Sequence, residues 1–257
     1  MVVTQRMRWI ADRAASIAVA ASIVFAGYVS YDRWLKPVPP VIEPPEELPL
    51  EPLSVEGALT FGSPKAPVGL IAYTDFLCPA CGKFATMTMP RLRAEYVETG
   101  KVLLAVRFVS NGKTRPLAYK VAQAGQCAAA QQRYWPVHDE LYKRGPVLSD
   151  DHLPMARMEQ LLLEVARGAG LAEDAFRACL ASTRVRDDVF EDAGTAIFLG
   201  VRNTPSFLMG PLHEGRLIDV TTREHGALTP EALNPLLDVL ISRSSAVAMK
   251  TAMNKGE

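Results

Sequence analysis

Two runs rich in apolar residues in the first half of the chain predict buried strands, one from Val68 to Tyr73 and one from Lys101 to Val109. Between them, residues 82–99 have a composition compatible with a helix, which Pro90 should kink and Gly100 should end. A strand, a helix and a second strand in this order predict a βαβ unit and hence an α/β protein.

The second half of the chain predicts helices first and then a return to the sheet. Apolar residues recur at helical spacing between about residues 115 and 182, and a further helix is expected over 185–199. Residues 205–210 form a short apolar strand with a possible hairpin partner at 216–220, and a last helix is expected from Thr229 to about Ser242. The sequence therefore predicts a helical domain, about 115–182, inserted into an α/β domain over 57–243, with a flexible tail at 244–257.

The N-terminus has the pattern of a membrane-targeting segment. Arginines precede an uncharged run from Ala14 to Tyr31, which is close to the minimum length of a spanning helix. Positive charge before the run predicts that the N-terminus stays in the cytoplasm and the remainder is exported. We favour an uncleaved single-pass anchor over residues 1–35; a signal peptide cleaved near Ala26, giving a soluble periplasmic protein, is the alternative.

Residues 36–56 predict an extended linker. Prolines alternate there with glutamates, and prolines at this density prevent both helix and sheet. The formal net charge of the whole chain is +0, so nothing indicates a nucleic-acid partner.

Cys78 and Cys81 enclose Pro79-Ala80 where the first strand gives way to a helix. Unpaired backbone N–H groups and the helix dipole stabilise an anion at a helix N-terminus, so the pKa of Cys78 should fall. Cys81, one turn further along, is placed to resolve a mixed disulfide formed at Cys78. An inert disulfide or half a zinc site are the alternatives, but no other cysteine or histidine has zinc-ligand spacing, so we expect neither metal nor cofactor.

Cys-Pro-Ala-Cys after an apolar strand that ends Asp75-Phe76, together with Gly-Val-Arg-Asn-Thr-Pro-Ser-Phe at residues 200–207, resembles the DsbA-like family of thioredoxin-fold disulfide oxidoreductases. The similarity runs from about Ser63 to Ile241. The resemblance implies a thioredoxin fold with an inserted helical domain, Cys78 and Cys81 as catalytic residues, and a cis-Pro205 beside the active-site sulfur. It also implies that Thr204 and Pro205 bind an extended substrate chain, which backbone pairing would achieve with little dependence on sequence.

One position departs from the pattern of many thioredoxin-like enzymes, which bury an acid six residues before the first cysteine. That position is Ala72 here, and Asp75 is the nearby acid in the strand. Proton transfer at Cys81 is therefore expected to depend on water or on Asp75.

The remaining cysteines, Cys127 and Cys179, have two interpretations. Each has an apolar helical context that suits a buried small residue. An oxidising compartment, and relatives with cysteines in both helices, favour instead a structural disulfide that closes the insert.

We therefore expect a thiol–disulfide oxidoreductase that acts on unfolded or partly folded exported proteins, with its catalytic domain in the periplasm. Disulfide formation is favoured over reduction or isomerisation, because isomerases of this kind are often dimers and no separate dimerisation module is evident. An oxidase needs a quinone-linked membrane partner, and a reductase needs a membrane electron donor. A hypothesis of another class is a membrane-tethered chaperone that binds clients beside Pro205.

Overall fold

A computed structural model describes residues 52–109, 115–150, 152–220 and 222–254. The strands are β1 (Leu53–Ser54), β2 (Leu59–Phe61), β3 (Val68–Thr74), β4 (Val102–Phe108), β5 (Ser206–His213), β6 (Arg216–Leu217) and β7 (Thr222–His225). The helices are α1 (Pro79–Met87), α2 (Met89–Leu92) with a π-helical turn (Arg93–Val97), α3 (Arg115–Ala130), α4 (Tyr134–Lys143), α5 (Gly145–Leu148), α6 (Met155–Gly168), α7 (Glu173–Leu180), α8 (Thr183–Phe198) and α9 (Pro230–Asn254).

The central strand of the mixed sheet is β3, in the order β1-β6-β5-β3-β4-β2, and β7 pairs with β5. It runs parallel to β4 and antiparallel to β5, so that Ala72 lies between Val106 and Phe207. Alternate residues of β3 enter two hydrophobic clusters: Leu70 and Ala72 face one, and Ile71 and Tyr73 the other. Burial on both faces explains why this strand is a continuous apolar run.

The helical insertion lies between β4 and β5, as predicted. Helices α3 to α7 cover residues 115–180, and α8 leads back to the sheet and packs against α3 and β4. Gly125 allows α3 to pack closely against the turn that follows β3, because a β-carbon there would lie only 2.9 Å from Cε2 of Phe76.

Three local features differ from expectation. The helix after Cys81 breaks at Thr88, two residues before Pro90, because proline fits the first turn of the new helix α2, where its missing N–H is not needed. The strands β1, β2 and β7 were not predicted, since segments of two to four residues carry too little periodicity. The last helix continues to Asn254, past the expected end near Ser242, because no proline or glycine follows until Gly256.

None of the helices in the described part of the chain has the length and apolar composition needed to cross a bilayer. The anchor predicted for residues 1–35, and residues 36–51 of the linker, lie outside the described residues.

Candidate active site

Cys78 lies at the junction of the sheet and the first helix. It is the N-cap of α1, and Pro79 occupies the first turn, where helix geometry favours proline. The Cys78 backbone N–H bonds the carbonyl oxygen of Asp75 at 3.1 Å, which closes the turn between β3 and α1. Cys78 is partly exposed and unpaired, whereas Cys81 is unpaired and buried.

The surroundings of Cys78 favour the thiolate. The Cys81 S–H donates a hydrogen bond to the Cys78 sulfur, and this is the largest cause that lowers the pKa of Cys78 to about 5. Partial burial acts in the opposite direction, while the side chain of Thr204 and the backbone N–H groups of Cys81 and Ala80 lower the pKa further. The direction agrees with the expectation from the sequence, and the second cysteine is a larger single cause than either backbone N–H at the helix N-terminus.

The pKa of Cys81 shifts in the opposite direction to that of Cys78. Its side chain is only 1% exposed, and this burial raises the pKa of the Cys81 thiol well above its ordinary value. The hydrogen bond to Cys78 and the negative charge on that sulfur raise it further, whereas Thr74 and the backbone N–H of Asp75 lower it. The reduced site therefore contains one thiolate, at Cys78, and one thiol, at Cys81.

The loop before β5 forms the opposite wall of the site. The peptide bond between Thr204 and Pro205 is cis, and the carbonyl oxygen of Thr204 lies 3.3 Å from the Cys78 sulfur, from which it accepts a hydrogen bond when the thiol is protonated. The hydroxyl of Ser206 donates to the carbonyl oxygen of Asn203 at 2.6 Å, and its oxygen lies 2.8 Å from Nδ1 of His225. The fold thus brings Cys78 next to the Thr204-Pro205 peptide, although Cys78 and Thr204 lie 126 positions apart in the sequence.

Asp75 contacts this site through its backbone. Its N–H is directed at the Cys81 sulfur at 3.5 Å, and its Oδ1 accepts the N–H of Leu77 at 2.8 Å. The methyl group of Ala72 is buried in the core, where it occupies the position of the acid found in many thioredoxin-like enzymes.

Sequence reasoning missed two hydroxyl groups beside Cys81. The oxygen atoms of Thr74 and Tyr142 lie 2.7 Å apart, and the side chain of Thr74 is among the groups that lower the pKa of Cys81. Thr74 ends β3, and its place two residues after Ala72 puts it on the same face of the strand. No comparable signal identifies Tyr142, because it lies 68 residues away on α4.

Cys127 and Cys179 form a disulfide that joins α3 to α7, and Cys127 has no exposed surface. The bond links residues 52 positions apart, and closing a loop of this length stabilises a fold by about 4 kcal/mol in the chain-entropy account. Within the described ranges, no three His, Cys, Asp or Glu side chains are grouped so that they would hold a metal ion.

Comparisons with known proteins agree with this geometry. A family model described as thioredoxin matches residues 54–238. A probable disulfide bond formation protein D of Bacillus anthracis is 30% identical over 152 residues, which are 57% of this chain and 67% of that protein. The crystal structure of alpha-DsbA1 from Wolbachia pipientis has a TM-score of 0.65 at 23% identity and covers 76% of this chain and 96% of its own.

A different name also appears among the relatives. The Na(+)/H(+) antiporter NhaA 3 of Salinispora tropica is 31% identical over 173 residues, which are 67% of this chain but 23% of the antiporter. The match is therefore limited to a minor part of a much longer protein. Together with the topology, the comparisons confirm the predicted thioredoxin fold with a helical insertion.

Proposed function

The chain belongs to the thioredoxin family as a DsbA-like thiol–disulfide oxidoreductase, and from this premise we propose that it forms disulfides in exported proteins by exchange through Cys78 and Cys81. The proposal rests on the difference in exposure and pKa between the two sulfur atoms. Cys78 is accessible and has a lowered pKa, whereas Cys81 is buried and keeps its proton. An accessible thiolate backed by a buried thiol is the arrangement that disulfide exchange requires.

Oxidation of a client takes two exchange steps. A client thiolate attacks the Cys78 sulfur of the enzyme disulfide; the Cys78–Cys81 bond breaks, and Cys81 leaves as a thiolate that takes up a proton. A second client thiolate then attacks the client sulfur of the mixed disulfide, and Cys78 leaves as a thiolate. Two client thiols become one disulfide, and the enzyme disulfide accepts the two electrons.

Cys78 is the leaving group of the second step, and its pKa bears on the direction of exchange. The lowered pKa of Cys78 makes it a good leaving group and stabilises the reduced enzyme, and both effects favour oxidation of the client. We propose a reduction potential at or above about −220 mV, close to that of glutathione. A potential near that of thioredoxin, about −270 mV, would instead assign the protein to disulfide reduction.

The client is proposed to bind beside the cis-proline loop. An extended chain that pairs its backbone with Thr204 would present a cysteine to the Cys78 sulfur, which lies against the same residue. Pro205 is buried at the start of β5 and holds this wall of the site in place. We also propose that Asp75 assists proton transfer at Cys81.

The cellular setting follows from the same proposal. We propose that an anchor within residues 1–35 holds the catalytic domain on the periplasmic side of the inner membrane, and that a quinone-linked membrane partner reoxidises Cys78 and Cys81. Fractionation of cells that produce the full chain tests the anchor: the protein should be extracted by detergent but not by high salt. Release by salt, or a shortened N-terminus, would favour signal cleavage.

Replacing the two cysteines one at a time tests the exchange. Cys78→Ser should abolish oxidation of a reduced, unfolded client, whereas Cys81→Ala should accumulate mixed disulfides that a non-reducing gel separates. Thr86→Val is the matched control, because the Thr86 hydroxyl bonds only α1 carbonyl groups and should leave the rate unchanged. Normal client oxidation by Cys78→Ser would refute the assignment and leave client binding without catalysis as the explanation.

A further inference from the structure

Hydrogen-bond donors lie near the Cys81 sulfur, and the strand residue six positions before Cys78 is Ala72 rather than an acid. The backbone N–H of Asp75 approaches the sulfur at 3.5 Å, and the side chain of the preceding residue, Thr74, is among the groups that lower the pKa of Cys81. Ala72 supplies only a methyl group where an acid stands in many thioredoxin-like enzymes. A charge formed on the buried Cys81 sulfur therefore needs hydrogen-bond donors to stabilise it.

Tyr142 is a hydrogen-bond partner of the Thr74 hydroxyl, and either group can be the donor. The two oxygen atoms lie 2.7 Å apart, and burial raises the pKa of Tyr142 well above its ordinary value, so that its O–H keeps its proton. When Tyr142 donates to the Thr74 oxygen, the Thr74 proton is free to point at the sulfur. Such a chain of hydrogen bonds polarises each member and strengthens the last one.

We propose that the Thr74 hydroxyl and the Asp75 backbone N–H form a cradle for the Cys81 thiolate, and that Tyr142 is the positioning residue that holds the Thr74 hydroxyl in its donating orientation. The inference rests on the exchange chemistry proposed above and adds Thr74 to it as a catalytic residue. The cradle acts in both directions of exchange, because the same thiolate is the leaving group when a client attacks and the nucleophile when Cys81 resolves the mixed disulfide.

The cradle matters when Cys78 is bonded to a client. In the reduced enzyme, the hydrogen bond to Cys78 and its negative charge both oppose ionisation of Cys81. Once Cys78 is part of a mixed disulfide it has no charge, and those two effects disappear while both donors remain. Cys81 can then lose its proton, to water or with the help proposed for Asp75, and attack Cys78; the client sulfur leaves as a thiolate and is protonated, so that atoms and charge balance.

The test separates the two exchange steps in time. Reduced enzyme is mixed with oxidised glutathione, quenched with acid after known intervals, and analysed by mass spectrometry. Attack by Cys78 appears as formation of the glutathione adduct, and attack by Cys81 appears as its decay. The adduct lifetime is measured between pH 5 and 9 for the wild type, Thr74→Val, Thr74→Ser and Tyr142→Phe.

Loss of the Thr74 hydroxyl should slow only the second step. Thr74→Val should lengthen the adduct lifetime at neutral pH about tenfold and displace its pH profile upward by about one unit, which is the effect of losing one hydrogen bond to an anion. Thr74→Ser, which retains the hydroxyl, should follow the wild type, and Tyr142→Phe should lie between, at about threefold. The rate of adduct formation by Cys78 should stay within about twofold in all of them.

Thr88→Val is the matched control for the loss of a buried threonine hydroxyl, because Thr88 is 1% exposed and its hydroxyl bonds the carbonyl oxygen of Leu228, away from both sulfurs. A Thr74→Val adduct that decays with the wild-type pH profile would overturn the cradle, as would an equal displacement in Thr88→Val. A wild-type enzyme that leaves oxidised glutathione unreduced would instead refute the exchange function itself.

Discussion

Replacement of Cys81 by alanine should raise the pKa of Cys78. The S–H of Cys81 is the largest cause that lowers this pKa to about 5, and alanine removes that donor without adding charge or bulk. The partly buried Cys78 thiolate would then be stabilised only by Thr204 and the backbone N–H groups of residues 80 and 81.

The size of the effect follows from the strength of one hydrogen bond to an anion. Such a bond contributes about 1.5–3 kcal/mol, which corresponds to roughly 1–2 pKa units. The pKa of Cys78 in Cys81→Ala is therefore expected at about 6–7. At pH 6 the thiolate fraction, and with it the rate of alkylation, should fall by roughly two- to tenfold.

The assay is the pH dependence of Cys78 alkylation by iodoacetamide in the reduced protein, followed by mass spectrometry. Cys81→Ser is the matched control, because its O–H can donate as the S–H does and should keep the pKa of Cys78 near about 5. An unchanged pKa in Cys81→Ala would refute this account and would show that the helix N-terminus and Thr204 suffice to stabilise the thiolate.

Three further predictions concern stability in urea. Because the pKa of Cys78 is lowered in the folded protein, the unfolded chain binds an extra proton between about pH 5 and 9. The free energy of unfolding of the reduced protein, relative to that of reduced Cys78→Ser, should therefore rise by about 2 kcal/mol from pH 5 to 8 after allowance for solvent screening. A difference between the two proteins that does not change with pH would contradict this. Asp192→Asn should lower the free energy of unfolding by about 3 kcal/mol, because the buried Arg107 loses its charged partner. Asp187→Asn removes a partner from an exposed pair and should lower it by less than about 1 kcal/mol. Equal losses in the two variants would contradict the burial argument. Joint replacement of Cys127 and Cys179 by alanine should cost about 4 kcal/mol without changing alkylation of Cys78, and a cost below about 1 kcal/mol would contradict the loop-closure account.

The buried pair that includes Asp192 was not foreseen from the sequence. Nη1 of Arg107 lies 2.6 Å from Oδ1 of Asp192, and Nη2 bonds the backbone carbonyl oxygen of Glu56, also at 2.6 Å. Burial raises the pKa of Asp192 to about 6 despite the arginine. In the sequence, Arg107 is one polar residue in an apolar strand. No pattern in the sequence indicates that its partner is Asp192, which lies 85 positions away.

Local patterns in the sequence determined much of the architecture. The apolar run of β3, the helix-compatible stretch after it and the second apolar run of β4 identified the βαβ unit, because each element needs only its own residues to reveal its period. Helical spacing likewise located the insertion, and the Cys-Pro-Ala-Cys and Thr-Pro-Ser-Phe motifs identified the family. The short strands β1, β2 and β7 escaped prediction because their pairing partners, and no pattern of their own, stabilise them.

The chemistry of the two sulfurs was decided by tertiary structure. The sequence by itself placed Cys78 at a helix N-terminus and so determined the direction in which its pKa moves. The degree of burial of Cys81, the approach of Thr204 to Cys78 and the hydrogen bond between Thr74 and Tyr142 exist only in the folded chain. Desolvation and hydrogen bonding depend on distances across the fold, which no spacing along the chain reveals.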